Sequence, residues 1–346
     1  MRSRALTLLV CSALLATTAK AQLQRIVLQG GGAPQVFTDL GAAVTAAQSG
    51  DKLYLSGGVF NYTGSLVVDK TLHFIGAGIG PDSSSVTNTT SISPTTAVQV
   101  FTAGSGSSFT GIRFLNTMQY GDGAANFSPT GIVFQRCEFI SYAHLGAGST
   151  TVIDECVFRF RFYGYDGQAT VTRSIFSYGG TATHAPISAF TTGGLTMDHC
   201  TVLLGRITNS EDCTVANCIF TRTASEPLYQ SSGAIVTNNL IAHGNIGGNM
   251  TPGATSGNVL GAVVADMFIN ETSGGFDWTD DLHLQPTSVG VGMATDGTDV
   301  GIYGTGSPYK PGAVPYNPHF RSADIAPATN PGGYLPVNIR VAAQTH

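Results

Sequence analysis

An all-β chain wound as a solenoid of parallel strands is the fold class this sequence predicts, on three observations. One motif, Thr150 to Phe158, recurs with Cys137, Cys156, Ser174, Cys200, Cys218, Asn239 and Asn258 as equivalent anchors, at intervals of 19, 18, 26, 18, 21 and 19 residues. A quasi-period of about 20 residues marks a repeat architecture. Within each copy the apolar positions alternate: Phe134, Ile153, Val171, Met197, Val215 and Val236 lie three before the anchor. Phe139, Phe158, Phe176, Val202, Phe220 and Ile241 lie two after it. That is the period of a half-buried strand. The residue just before the anchor is Gly111, Arg136, Glu155, Arg173, His199, Asn217 or Asn238. Glycine and asparagine tolerate a left-handed backbone, so the chain is expected to bend there. Short strands, a tight bend and no helical stretch give one coil of a parallel β-solenoid.

Composition agrees. Glycine at 44 of 346 residues suits many tight turns and does not suit a helical protein. The chain opens with Arg2, Arg4, an apolar run from Ala5 to Ala16 and Ala19-Lys20-Ala21, the pattern of a signal peptide cleaved after Ala21. The run is too short to span a bilayer, and no later segment reads as transmembrane. The expected location is therefore secreted or cell-surface, extracellular or periplasmic. Losing Arg2, Arg4 and Lys20 moves the formal charge from −5 to −8. With 11% charged residues and no basic run, the composition argues against duplex nucleic acid. Five cysteines remain after Cys11 is removed: Cys137, Cys156, Cys200, Cys213 and Cys218. They read as small buried hydrophobes of the inward ladder, with a Cys137–Cys156 bridge left open.

Taken in order, Thr38 or Asp39 can cap a short amphipathic helix with Leu40, Ala43, Val44 and Ala47 on its apolar side, ended by Gly50. Strands are expected at Lys52–Leu55 and Ser65–Val68, then the turn Leu72-His73-Phe74-Ile75-Gly76-Ala77-Gly78. Asp82 to Thr96, rich in Ser and Thr, reads as a surface loop, and regular coils as running from about Val98 to Leu260. The interval of 26 implies an insertion around Gly179 to Pro186. The closing part carries Asp281-Leu-His-Leu and then Asp296-Gly-Thr-Asp-Val-Gly-Ile-Tyr-Gly, with one further strand expected within Leu335–Gln344.

The capping helix, the run Gly50-Asp-Lys-Leu-Tyr-Leu with Gly58-Val-Phe, and the Leu72–Gly78 turn resemble the opening of pectin-lyase-like right-handed parallel β-helix proteins. The closing motifs resemble those of secreted bacterial β-helix proteins. The resemblance implies a single-stranded right-handed parallel β-helix with an N-terminal capping helix. The expected organisation is a signal peptide over 1–21, the β-helix with its cap over 22–270 and an irregular closing segment over 271–346. The helix would cover the apolar end of the first coil.

In that superfamily ligands lie along one exposed parallel face. Here the face following each Phe of the ladder offers Tyr142, His144, Arg161, Tyr163, His184, Arg206, Glu226, Tyr229 and His243. Aromatic faces and guanidinium forks suit an acidic glycan, so the expected partner is a polysaccharide, bound or processed. The alternative is a structural or adhesive surface protein without catalysis. Ice binding would need a regular outward threonine array, and Val152 and Ile235 interrupt the column of Thr170, Thr196 and Thr214.

Catalytic expectations stay open between polysaccharide lyase, glycoside hydrolase and no enzyme. Asp198-His199 resembles part of a pectate lyase motif, but its aromatic residue is missing, and Asp198 repeats the outward slot of Asp154. Asp280-Asp281 lacks the companions that a polygalacturonase-like pair of acids requires. Asp296 and Asp299 could hold calcium, the one cofactor left open, or hold their own turn through side-chain to backbone bonds. The oligomeric state is not legible.

Overall fold

The first strand of the solenoid is Asp51–Leu55, and the coils as far as Tyr229 repeat a three-strand pattern, the last two showing two strands each among the described residues. The structure, a computed structural model, describes residues 24–81, 87–121, 127–177, 186–191, 193–247, 254–271, 274–310, 319–326 and 328–342. The expected signal peptide and His184 lie outside the described residues, as does most of the expected insertion. Among the described residues, strands stack in parallel into about nine turns. Three sheets result, of 12, 10 and 8 strands, with successive coils as neighbours in each. One coil reads Thr150–Asp154 in the first sheet, Val157–Phe158 in the second and Phe162–Tyr163 in the third.

Burial explains this division. In the first sheet Ile132, Phe134, Ile153, Val171, Met197, Val215 and Val236 point inward and are buried. In the second the rings of Phe114, Phe139, Phe158 and Phe176 stack coil on coil at centroid separations of 5.2, 4.6 and 4.6 Å. Between these sheets the chain bends at one residue per coil. Gly111, Arg136, Glu155, Arg173, His199, Asn217 and Asn238 all have positive φ, from 44° to 67°. The bend predicted from Asn and Gly thus holds for every copy, including the residues that adopt this conformation less readily.

The bend also explains the anchor column. A sharp corner interrupts the ladder of backbone hydrogen bonds, and the anchor side chain of the next coil supplies the missing acceptor. The Cys137 N–H donates to Cys156 Sγ at 3.3 Å and the Cys156 N–H to Ser174 Oγ at 3.0 Å. The Cys218 N–H donates to Asn239 Oδ1 at 2.8 Å and the Asn239 N–H to Asn258 Oδ1 at 3.0 Å. Each anchor from Cys137 to Asn239 in turn donates to the carbonyl two residues back, as Cys156 Sγ does to Asp154 and Ser174 Oγ to Thr172. The five cysteines among the described residues are free and buried, and burial pushes the thiols of Cys156, Cys213 and Cys218 up, keeping them protonated. The anchor cysteines are the small buried residues of the ladder that the sequence predicts, and they carry hydrogen bonds besides. Cys, Ser and Asn share a column because each has a small side chain that both donates and accepts. Cys156→Ser should lower stability by less than about 1 kcal/mol, whereas Cys156→Val should cost about 1–3 kcal/mol by stranding the buried Cys137 N–H. Urea unfolding of the two variants checks the difference.

The helix spans Leu40–Ala46, capped by Asp39, whose side chain accepts from the Ala42 N–H at 2.6 Å. Leu40, Ala43 and Val44 pack into the solenoid core with Leu53, Leu55 and Leu66. Gly50 does not end the helix: Ala47 is already extended. Lys70 Nζ donates to the carbonyls of Val44 and Ala47, satisfying the helix end from the side. Two further expectations are corrected. Regular coils begin at Asp51 rather than near Val98, and Thr90–Pro94 is a buried strand, not a surface loop. Its polar composition misleads because the Thr90 hydroxyl accepts from the Ala77 N–H and donates to the Ser56 carbonyl, so it can be buried at little cost.

The outward side of the second sheet is covered as well. Val157, Ile175, Ile219 and Leu240 form a second apolar cluster with Leu282, Leu284, Val300, Ile302 and Tyr309 of the closing segment. That segment runs back along the row of bend residues, coil by coil. Asn238 donates to the Met293 carbonyl, Asn217 to Thr295 Oγ1, and Arg173 to the Ser307 carbonyl, while Glu155 accepts from the Lys310 N–H. Arg159, paired with Glu138 at 2.8 Å, donates to the Phe276 carbonyl and lies 4.8 Å from the Phe276 ring centroid. Beyond it, His319–Ile325 and Val337–Ala342 pair as an antiparallel hairpin, which places the last expected strand.

Candidate functional site

The third sheet presents one outward column, and three of the candidate residues, His144, Tyr163 and Tyr229, lie in it. Its register aligns Gln99, Gln119, His144, Tyr163, Ser188, Thr208 and Tyr229 on successive coils. Inward neighbours Met118, Ala143, Phe162, Ile187, Ile207 and Leu228 are buried and fix the strands. Alternation then forces the next residue out, which is why a two-residue strand such as Phe162–Tyr163 is enough to aim a ring at solvent.

Two consecutive coils build an aromatic cluster. Tyr163 stacks on Tyr142 at 6.1 Å and on Tyr165 at 5.2 Å, and His144 meets Tyr163 and Tyr165 edge-on, each at 5.3 Å. Arg161 Nη1 donates to the Tyr163 hydroxyl at 2.9 Å. Two coils beyond Arg161, the guanidinium of Arg206 lies 4.3 Å from the Tyr229 ring centroid. Its Nε is buried without a hydrogen-bond partner among the described residues, as is His144 Nε2. Burial lowers the His144 pKa and so favours the neutral ring; it also raises the Tyr165 phenol, with Tyr163 and Tyr142 adding to the shift. Ser188 and Thr208, small side chains, separate the Tyr163 ring from the Tyr229 ring.

Beside this column lies a cavity of about 550 Å³ lined by Gln119, Tyr120, His144, Tyr165, Asp166 and Thr191 among others. Its wall is a turn in left-handed conformation, with Tyr165 at φ 44° and Asp166 at φ 64°, and Asp166 Oδ1 accepts from the Thr191 hydroxyl at 2.8 Å.

Tyr142, His144, Arg161 and Tyr163 thus come together, with Arg206 and Tyr229 as a second group on the same face. Glu226 sits two residues before the strand Leu228–Tyr229, beside Arg222. His243 is apart: it lies in the turn after Leu240–Ile241, and its Nδ1 accepts from the Asn245 N–H of its own loop. Sequence reasoning missed Arg222, Asp166 and Thr191. Arg222 could have been found as the basic residue four after the Cys218 anchor, whereas the other two sit in turns whose lengths vary from coil to coil.

The acidic candidates elsewhere are occupied structurally. Burial alone would raise the Asp198 carboxyl, but the adjoining His199 ring and the hydrogen bond from the Asn217 amide outweigh it and hold the group below the usual carboxylate range. His199 Nδ1 stands 3.1 Å from Asp198 Oδ2 and its Nε2 3.4 Å from the Thr298 hydroxyl, so the pair belongs to the row that holds the closing segment. Asp280 Oδ2 accepts from the Asp277 N–H, Asp296 Oδ1 from the Thr298 N–H and Asp299 Oδ1 from the Gly292 N–H. These are the self-holding turns expected of such residues. Among the described residues no group of three or more His, Cys, Asp or Glu side chains gathers in a way that could hold a metal ion. No helix among them is long and apolar enough to cross a membrane. Neither any known family model nor any curated protein matches the chain.

Proposed function

We propose that the protein is exported and binds an extracellular polysaccharide, by preference an acidic glycan, along the outer column of the third sheet. The observation that carries this reading is the cluster of Tyr142, His144, Tyr163 and Tyr165 beside an open cavity, with Arg161 and Arg206 on the same face. Sugar rings present C–H faces that pack on aromatic side chains, and guanidinium forks take carboxylates in bidentate fashion. The pectin-lyase-like resemblance of the chain's opening fits the same reading. The arrangement suits binding, and Asp198, Asp280 and Asp296 are held in turns or in the row beside the closing segment.

The test is a panel of uronate and neutral glycans, with and without calcium, followed by calorimetry, by absorbance of unsaturated products and by new reducing ends. Binding without product is expected. Tyr163→Ala should weaken it about tenfold, the weight of one stacked ring at about 1–1.5 kcal/mol. Absence of any binding would favour the adhesive rod instead, a reading supported by the exposed Val152 and Ile235 on the first sheet.

A further inference from the structure

The two edges of the third sheet differ in charge. The edge entered before each strand carries Arg161 and Arg206, equivalent positions two coils apart in one register, with Arg222 one coil further on. Burial and the neighbouring charge of Arg206 lower the Arg222 pKa from its ordinary value, against the opposing pull of Glu226. The edge left after each strand carries Asp166, Glu211 and Asp212, all exposed, in the turns back to the first sheet. Those turns, Gly164–Gly167 and Asn209–Asp212, hold no Lys or Arg.

Resting on the reading of this face as a glycan site, we propose that it selects a chain bearing one carboxylate on every second sugar. Arg161 and Arg206 are separated by two strand spacings, on the order of 10 Å. That is also the advance of two sugars along an extended, equatorially linked chain. In such a ribbon successive sugars turn over by half a revolution, so substituents on alternate sugars project to the same side. Carboxylates on alternate sugars would all face the arginine edge. A chain with a carboxylate on every sugar would send half of them towards Asp166, Glu211 and Asp212, where like charge opposes them. The Tyr163 ring at one end of the span and the Tyr229 ring one coil beyond its other end would take the sugar faces, with the small Ser188 and Thr208 between them.

Calorimetry of the full chain against three hexasaccharides tests this: hyaluronan (uronate on alternate sugars), oligomannuronate (uronate on every sugar) and cellohexaose (neutral). Hyaluronan should bind at least tenfold more tightly than the other two. Arg206→Gln should reduce its affinity to that of cellohexaose. Asp166→Asn, which keeps a residue type at home in the left-handed conformation, should raise the affinity for oligomannuronate severalfold. Oligomannuronate binding as tightly as hyaluronan, or an undiminished hyaluronan preference in a folded Arg206→Gln, overturns the inference and leaves the glycan site standing. No binding of any of the three overturns both.

Discussion

Replacing Glu155 with alanine is expected to cost about 3–5 kcal/mol of stability, because it leaves the charge of Arg136 buried without its carboxylate. Both side chains are fully out of contact with solvent. Arg136 Nε donates to Glu155 Oε2 at 3.0 Å and Nη2 to Oε1 at 3.2 Å, a bidentate pair joining two successive bends. The pair exists because the closing segment lies over the bends, and Glu155 Oε2 also accepts from the Lys310 N–H. Removing Glu155 therefore loosens that segment as well as stranding an arginine. Arg136→Met should be damaging for the mirror-image reason. The double replacement Arg136→Met with Glu155→Leu should recover most of the loss, since an apolar pair of similar volume avoids the desolvation of both charges. Denaturant unfolding of the three variants is the measurement. A loss below about 1 kcal/mol in Glu155→Ala would mean that the pair is not buried as described.

This pair also marks the limit of what the sequence carries. Periodicity made the coils, the inward ladders and the bends legible, because alternation and a repeat of about 20 residues are local signals. It placed Glu155 at a bend, where its φ is 52°. It could not show that Glu155 is buried, since the covering Lys310 is 155 residues away. The same holds for His199 and Asn217, whose partners Thr298 and Thr295 come from the closing segment. The Thr90–Pro94 strand was hidden by its hydroxyl-rich composition. At the site, the outward column was legible by counting from each Phe, and it brought Tyr142, His144, Arg161 and Tyr163 together. Asp166 and Thr191 were not legible: the turns that hold them differ in length, so no fixed offset from an anchor reaches both.

Phe158→Ala is expected to cost about 3–5 kcal/mol, the usual range for emptying a buried phenylalanine site. Its ring stacks between Phe139 and Phe176, each at 4.6 Å, and meets Phe162 at 5.1 Å. A solenoid has only its neighbouring coils to close such a cavity, and both neighbours place a ring of the same column at its edge. The functional consequence runs through Phe162. That buried ring is half of the two-residue strand whose other half is Tyr163, so a shift of Phe162 into the cavity turns the Tyr163 ring away from Tyr142 and Tyr165. Glycan binding should weaken severalfold in Phe158→Ala under conditions where the protein is still folded, although Phe158 touches no ligand. Phe158→Leu, which keeps much of the volume, should cost less than half as much and leave binding nearly intact. Thermal melts paired with calorimetry at a temperature well below the transition separate the two effects. If Phe158→Ala melts early yet binds glycan as the parent does, the outward column is held by its own backbone pairing and not by the core beneath it.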